Sequence, residues 1–334
     1  MIRAAVIGYG YWGPNIVRNF AASGAIDVVA VCDSSPEHLA RAREAHPGLR
    51  TTGRLDDVLD DATVDAVAVI TPVATHLELG LAALRAGKSV WIEKPLAASA
   101  EQAERLCDEA ALRGKILFVD HTFLYTAAVR KLRELVSSGK LGELVCYDSV
   151  RANLGIHRPD VDVLWDLAVH DVSILDHALG SRVLAVSATG VAGVPGMPAS
   201  SAFMTAFLEG GAVMHVHADW LSPIKVRTTT ISGRRSMIVY DDNEPVEKVR
   251  VWDRGVIVTP VGAGRPPDIA YRHGPAAAPP LSSVEALAVA ARHFAESVSA
   301  GKKPITDGAL GLRVVRVLEA ARRSIEGRGR PVEL

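Results

Sequence analysis

Arg3-Ala4-Ala5-Val6-Ile7-Gly8-Tyr9-Gly10-Tyr11-Trp12-Gly13 is the stretch whose reading decides the fold. The apolar run up to Ile7 reads as a short buried strand, the glycines open Asn15 to Ala22 as a helix, and Ile26 to Cys32 reads as the next strand. Asp33 stands twenty residues beyond Gly13. Strand, glycine turn, helix, strand and acid together describe a βαβ unit that binds a dinucleotide. Gly8 permits the tight turn, Gly10 lets backbone approach a pyrophosphate, and Gly13 lets the helix pack close to the strand. The phosphates then face unpaired N–H groups at the positive end of the helix dipole, with Tyr11 and Trp12 beside them in the cofactor loop.

Asp33 chooses between cofactors. A carboxylate there accepts hydrogen bonds from the adenosine ribose hydroxyls and repels the extra 2′-phosphate of NADP, so NAD is expected over NADP. Alternatively, Asp33 is a helix cap or turn residue before Pro36-Glu37, a role that Ser34 or Ser35 can also fill.

The chain has 334 residues, enough for about two domains. Its 37 Lys and Arg nearly balance 38 Asp and Glu, which gives no field to attract a polyanion, and nucleic acid is not an expected partner. No apolar run approaches the roughly 18 residues that span a bilayer, and the first residues enter a strand at once. A soluble, cytoplasmic protein without a membrane partner is expected. Cys32, Cys107 and Cys146 are far apart in apolar segments and read as buried free thiols, and no metal is expected.

Short β-rich runs at 4–7, 28–31, 66–70, 89–92 and 116–119 alternate with helical stretches at 37–45, 77–86 and 101–113. That alternation predicts a doubly wound parallel sheet over residues 1–121. From 122 to 334 the pattern changes. A helix at 126–137 precedes strand-like runs at 144–151, 183–191, 202–208, 212–220, 226–232, 236–240, 249–252 and 256–261, with Gly210-Gly211 as a hairpin turn. This predicts an α+β domain with an open, mainly antiparallel sheet. Val213, His215, His217 and Asp219 fall on one face of it, and Ala212, Met214, Val216 and Ala218 on the other. Residues 262–281, rich in Pro, Gly and Ala, are expected to be a long loop, and a terminal helix at about 308–325 to dock back onto the body.

Two further segments carry chemistry. Lys94 follows the run ending at Ile92, where the carboxyl edge of a parallel sheet presents ligands, and Pro95 holds Lys94 extended or forms a cis bond. An ammonium there can stabilise an alkoxide or donate a proton. In Trp165-Asp166-Leu167-Ala168-Val169-His170, a helix places Asp166 and His170 on one face at i and i+4. A histidine can take a hydroxyl proton near neutrality, and a carboxylate can orient it or hold substrate.

Gly8 to Gly13, Glu93-Lys94-Pro95 and Asp166-x-x-x-His170 resemble the motifs of the Gfo/Idh/MocA family, whose name joins glucose–fructose oxidoreductase and inositol dehydrogenase. The likeness extends along essentially the whole chain, through His121 to Leu124, Ser138-Gly139-Lys140-Leu141-Gly142 and the terminal helix. It implies a Rossmann domain followed by a domain whose open sheet forms a homodimer or homotetramer. Substrates would be sugars, nucleotide sugars or cyclitols. By the same resemblance Lys94 and His170 are the catalytic pair, Asp166 positions substrate, and Glu93, Thr71, Pro72 and His76 lie in loops near the cofactor. His76 has a second reading as an N-terminal helix residue. Asn153, Arg158 and Asp162, in a polar loop ahead of the catalytic helix, are candidates for substrate hydroxyls, with solvated-loop positions as the alternative. The chain departs from the family at Ala168, where many members have Gly, and at Phe123-Leu124-Tyr125-Thr126, where many have an Arg-Phe-x-Pro-like segment. Tyr125 is a candidate there for substrate contact or as a substitute base.

The expected activity is reversible hydride transfer between NAD and a secondary carbinol of a sugar or cyclitol. A nucleotide-sugar 3-dehydrogenase or 3-ketoreductase is the nearest alternative. A non-catalytic NAD-binding sensor is a different class, marked by loss of Lys94 or His170; both are present.

Overall fold

The computed structural model describes residues 1–155, 157, 159, 161–262 and 265–334. They divide into two units. The first holds Met1–Thr126 and Val284–Arg316, the second Ala127–Ser283 and Val317–Leu334.

In the first unit the apolar runs form Ile2–Ile7 (β1), Ile26–Cys32 (β2), Arg50–Thr52 (β3), Ala66–Val69 (β4), Ser89–Glu93 (β5) and Leu117–Asp120 (β6). They make one parallel sheet in the order β3-β2-β1-β4-β5-β6. β4 is buried at every position, as a sheet covered on both faces requires. Gly13–Ala22 (α1), Pro36–Ala45 (α2), Asp56–Leu59 (α3), His76–Arg85 (α4) and Ala100–Arg113 (α5) are the connecting helices. The chain reverses direction across the sheet between β1 and β4, the place where doubly wound sheets bind ligands beyond the carboxyl ends of their strands.

In the second unit, Ala127–Ser137 (α6) buries Ala128, Val129, Leu132 and Leu135 on one stripe. Leu144–Leu154 (β7) leads to a helical segment ending in Val169–Leu179 (α7), and then to Val183–Val191 (β8), Ser201–Leu208 (β9) and Val213–Asp219 (β10). Leu221–Gly233 (β11), Met237–Asp241 (β12), Val249–Thr259 (β13) and Asp268–Ala277 (β14) follow. With Val332–Glu333 (β15) the sheet runs β14-β13-β12-β11-β7-β10-β9-β8-β15, antiparallel at each pairing except β7 with β10. Ala212, Met214, Val216 and Ala218 are buried, whereas Val213, His215, His217 and Asp219 are half-buried. Phe203 and Phe207 of β9 are exposed on the latter face, Phe203 stacking on His217 with ring centroids 4.4 Å apart.

Four sequence expectations change. Residues 262–281 are not one long loop: β14 pairs along β13 despite its Pro and Gly content, because an edge strand needs bonds on one side only. The runs 249–252 and 256–261 are one strand, β13, with an irregularity between Trp252 and Arg254. Ala286–Ala300 forms a helix (α8) beyond the expected elements, with Leu287, Ala290, Ala291, Phe294 and Ala295 recurring at helical spacing and buried. Finally, the second unit is not a continuous stretch from residue 122. α8 belongs with the first unit, where Phe294 meets Phe20, Trp91 and Phe118, and where Arg18 of α1 forms a bidentate ion pair with Glu285. The last helix, Gly308–Glu326 (α9), contributes to both units, which divide it after Arg316.

Candidate active site

The glycine turn is fixed by close backbone approach. Gly8 has φ +99°, and a Cβ placed on it would lie 2.2 Å from the Ile70 carbonyl oxygen and 2.9 Å from the Thr71 methyl. A Cβ on Gly13 would lie 2.6 Å from the Gly8 carbonyl oxygen. Gly10 differs. A Cβ there would meet only the His38 ring, at 3.9 Å, so the fold itself has room for a side chain that the sequence leaves out. Trp12 begins α1 without a side-chain cap. An open loop face before an uncapped helix start fits a dinucleotide pyrophosphate, held by backbone N–H groups.

Asp33 follows β2. Its Oδ2 accepts the Tyr9 N–H at 2.6 Å and its Oδ1 the Ser35 N–H at 2.8 Å, and His38 Nδ1 lies 3.0 Å from Oδ2. Burial works against the charge, but these bonds outweigh it and hold the carboxyl below its ordinary range. Ser35, not Asp33, caps α2. Arg41 of α2 donates to the Tyr9 carbonyl at 2.8 Å, bracing the loop from the same side.

Thr71 and Pro72 form the turn after β4, where the Thr71 and Thr75 hydroxyls are 2.7 Å apart. His76 is only 1% exposed, with Nδ1 3.0 Å from the Pro95 carbonyl oxygen and Nε2 2.9 Å from that of Thr71. The expectation that His76 faces a cofactor is therefore corrected. It is the first residue of α4 and braces the Thr71 turn against the Lys94-Pro95 turn, with burial pushing its pKa down despite the carbonyl contacts. The Lys94-Pro95 peptide is cis.

Beside Lys94 lie Glu93, which the resemblance puts near the cofactor, and Asp120, which the sequence reading does not single out. Glu93 and Asp120 are paired residues at the ends of β5 and β6. The Lys94 N–H donates to Glu93 Oε2 at 3.0 Å, and Trp12 Nε1–H and the Thr122 hydroxyl donate to Asp120. His121 is fully buried, and neither ring nitrogen has a hydrogen-bond partner among the described residues. Burial, then the Lys94 charge, pushes its pKa down to about 3. The polar residues Asp120-His121-Thr122 directly after a buried apolar run are the signal that could have found this cluster. Tyr125 is a second correction: it is buried, and its hydroxyl lies 3.0 Å from His293 Nδ1 and 3.1 Å from the Thr306 hydroxyl, so it is neither base nor substrate contact.

In the second unit, Leu164–Ala168 is a π-helical turn running into α7. Asp166 sits in this wider turn and His170 at the start of α7, so the straight α-helical i, i+4 register is not kept between them. Trp220 Nε1–H donates to Asp166 Oδ2 at 3.2 Å, a partner fifty-four residues away that no local pattern announces. Asp162 is corrected as well. Its Oδ1 accepts the N–H groups of Leu164 at 2.9 Å and Trp165 at 3.1 Å, so it caps the turn rather than facing substrate. Asn153 is half-buried on β7, and Arg158 lies outside the described residues. Next to His170, Asp171 is fully buried and accepts Arg151 Nε–H at 2.9 Å, Arg151 Nη2–H at 3.1 Å and the Ser149 hydroxyl at 2.8 Å. This fastens the start of α7 to β7.

Residues 2–121 match a model described as an oxidoreductase family with an NAD-binding Rossmann fold, and residues 129–239 match the GFO/IDH/MocA C-terminal domain. The UDP-N-acetylglucosamine 3-dehydrogenase of Acidithiobacillus ferrooxidans is 28% identical over 329 residues, 97% of each chain. Inositol 2-dehydrogenase 2 of Saccharopolyspora erythraea is 34% identical over 189 residues, a match that spans about half of each protein, 55%. A crystal structure of a protein from Magnetospirillum magnetotacticum MS-1 superposes with a TM-score of 0.81 at 30% identity, over 96% of this chain and 99% of that one. With one family model on the parallel-sheet unit and its companion on the unit of α7, the chain belongs to the GFO/IDH/MocA oxidoreductase family.

Proposed function

We propose that this protein transfers hydride between NAD and a secondary carbinol of a sugar or cyclitol. The observation that carries the reading is the pairing, on one sheet, of a glycine loop left open at Gly10 with a lysine directly after β5 at the carboxyl edge. A bound nicotinamide supplies the hydride acceptor or donor. In oxidation His170 takes the hydroxyl proton, Lys94 stabilises the developing alkoxide, and Asp166 holds the substrate; in reduction the proton roles reverse. Asp33, kept ionised by its N–H donors, favours adenosine ribose hydroxyls over a 2′-phosphate, so NAD is the working cofactor.

Carbon 3 of a nucleotide-linked sugar is the second reading. It is favoured by the relative matched over nearly its whole length, whose name places its chemistry there. The exposed Phe203 and Phe207 face of the nine-stranded sheet supports a homo-oligomer, dimer or tetramer.

The test is NAD and NADP reduction followed by absorbance across sugars, cyclitols and nucleotide sugars, with Lys94→Ala as control. One substrate class should turn over with NAD, and the variant should lose about 10²- to 10⁴-fold in turnover with NADH binding nearly intact. Undiminished turnover of Lys94→Ala on the true substrate would overturn the mechanism.

A further inference from the structure

We propose that Asp120 is a positioning residue for Lys94, one half of a carboxyl pair with Glu93 that holds a single proton and presents a single negative charge to the lysine. The proposal rests on the reading of Lys94 as catalytic.

The geometry comes from the sheet. β5 and β6 run parallel with Glu93 opposite Asp120, so two carboxyl groups reach the same carboxyl edge side by side. Asp120 is 2% exposed. Two adjacent carboxylates in such a place do not both ionise. Glu93 beside Asp120 is half-buried; burial first, and repulsion by Asp120 second, push its pKa well up, and the pair shares one proton across a hydrogen bond. Asp120 is surrounded by donors suited to an anion: the Thr122 hydroxyl, Trp12 Nε1–H at 3.3 Å and the Glu93 acid. Burial lifts its pKa to about 6, and these donors and Lys94 limit the rise.

One carboxylate thus joins three pieces of the site. Trp12 belongs to the glycine loop, Glu93 receives the Lys94 N–H, and Thr122 opens the turn after β6. Above pH ~6 the pair carries one charge; as pH falls through that value it takes up a second proton and the charge is lost. Other titratable groups facing Asp120 are Lys94 on the β5 side, His121 beside it and Tyr125 in the following turn. His121, pushed down to about 3, and Tyr125, pushed up, stay neutral between about pH 5 and 8 and do not titrate with the pair.

The test uses the full chain with ¹⁵N-indole-labelled tryptophan, the Trp12 resonance being assigned through Trp12→Phe. Its indole N–H signal should titrate with a midpoint near 6 in the wild type and be flat in Asp120→Asn. In Lys94→Ala the midpoint should rise, because the lysine no longer favours the carboxylate. Asp120→Asn should also lower kcat by about 10- to 100-fold, the scale of a misplaced catalytic group, with the NADH Kd within about threefold. A Trp12 signal that does not titrate in the wild type, or an unmoved midpoint in Lys94→Ala, would overturn the pair without touching the proposed reaction. Unchanged kcat in Asp120→Asn would overturn the positioning role. If that variant does not fold, the Lys94→Ala midpoint decides alone.

Discussion

The starts of α1 and α7 carry the two halves of the candidate chemistry and are built in opposite ways. Trp12 leaves α1 without a side-chain cap, and glycines bring the preceding turn close to its neighbours. Asp162 caps the π-helical turn ahead of α7 with its own carboxylate, accepting the Leu164 and Trp165 N–H groups. The first helix start therefore suits an external anion, while the second is already satisfied and offers only the side chains it displays. In the first region the backbone is the candidate functional surface; in the second it is scaffolding for the candidate residues Asp166 and His170.

This difference sets what mutations should do, and the largest effect belongs to Gly8→Ala. The new Cβ would press on the Ile70 carbonyl, part of a buried backbone that cannot swing aside, at a φ that side chains rarely adopt. Backbone strain of ~1–3 kcal/mol and overpacking of ~1–3 kcal/mol give a loss of roughly 2–6 kcal/mol, and NADH binding should go with it. Urea denaturation with a midpoint near wild type would contradict the turn described here.

At α7 the comparison predicts that stability and activity separate. Arg151→Ala leaves Asp171 buried and unpaired, a loss of about 3–5 kcal/mol, although neither residue is proposed to touch substrate. His170→Ala should instead cost roughly 1 kcal/mol or less while turnover falls about 10²- to 10⁴-fold. Parallel thermal melts and initial rates on the two variants decide it. If His170→Ala destabilises as strongly as Arg151→Ala, the half-buried His170 is part of the scaffold and the contrast between the regions fails.

The same contrast explains which parts could be read from sequence. The turn at Gly8 and Gly13 is legible because backbone demands recur at fixed local spacing, and the parallel sheet follows from alternating apolar runs. His76 misled because its sequence position near the cofactor loops says nothing of its burial, and both ring nitrogens meet carbonyls brought together by folding. Tyr125 misled similarly, since His293 and Thr306 are far along the chain. Asp162 looked like a loop acid because the helical turn it caps begins earlier than the apolar pattern suggests. Trp220 beside Asp166 and Arg151 beside Asp171 join positions whose proximity only the sheet register creates. α8 differs from these: its apolar stripe, Leu287, Ala290, Ala291, Phe294 and Ala295, is local and lies wholly within the sequence pattern.

Gly10→Ala should have the smallest effect on stability and is the sharpest probe of the first region. Gly8 and Gly13 are required by the fold, so their replacement cannot tell a folding role from a binding role. Gly10 can, because a methyl there has only the His38 ring nearby, at 3.9 Å, and its φ lies outside the left-handed range. The folded protein should tolerate the methyl, and fewer accessible conformations in the unfolded chain should raise stability by about 0.4–1 kcal/mol. A dinucleotide approaching the loop would meet the methyl directly and bind at least about tenfold more weakly, a cost of about 1.4 kcal/mol. Fluorescence titration of NADH alongside thermal melts measures both quantities on the same samples. Weaker binding in an equally stable protein means that the missing side chain makes room for ligand. Unchanged binding would mean that the pyrophosphate does not approach Gly10, and the loop would then be a structural turn whose middle glycine serves neither fold nor cofactor.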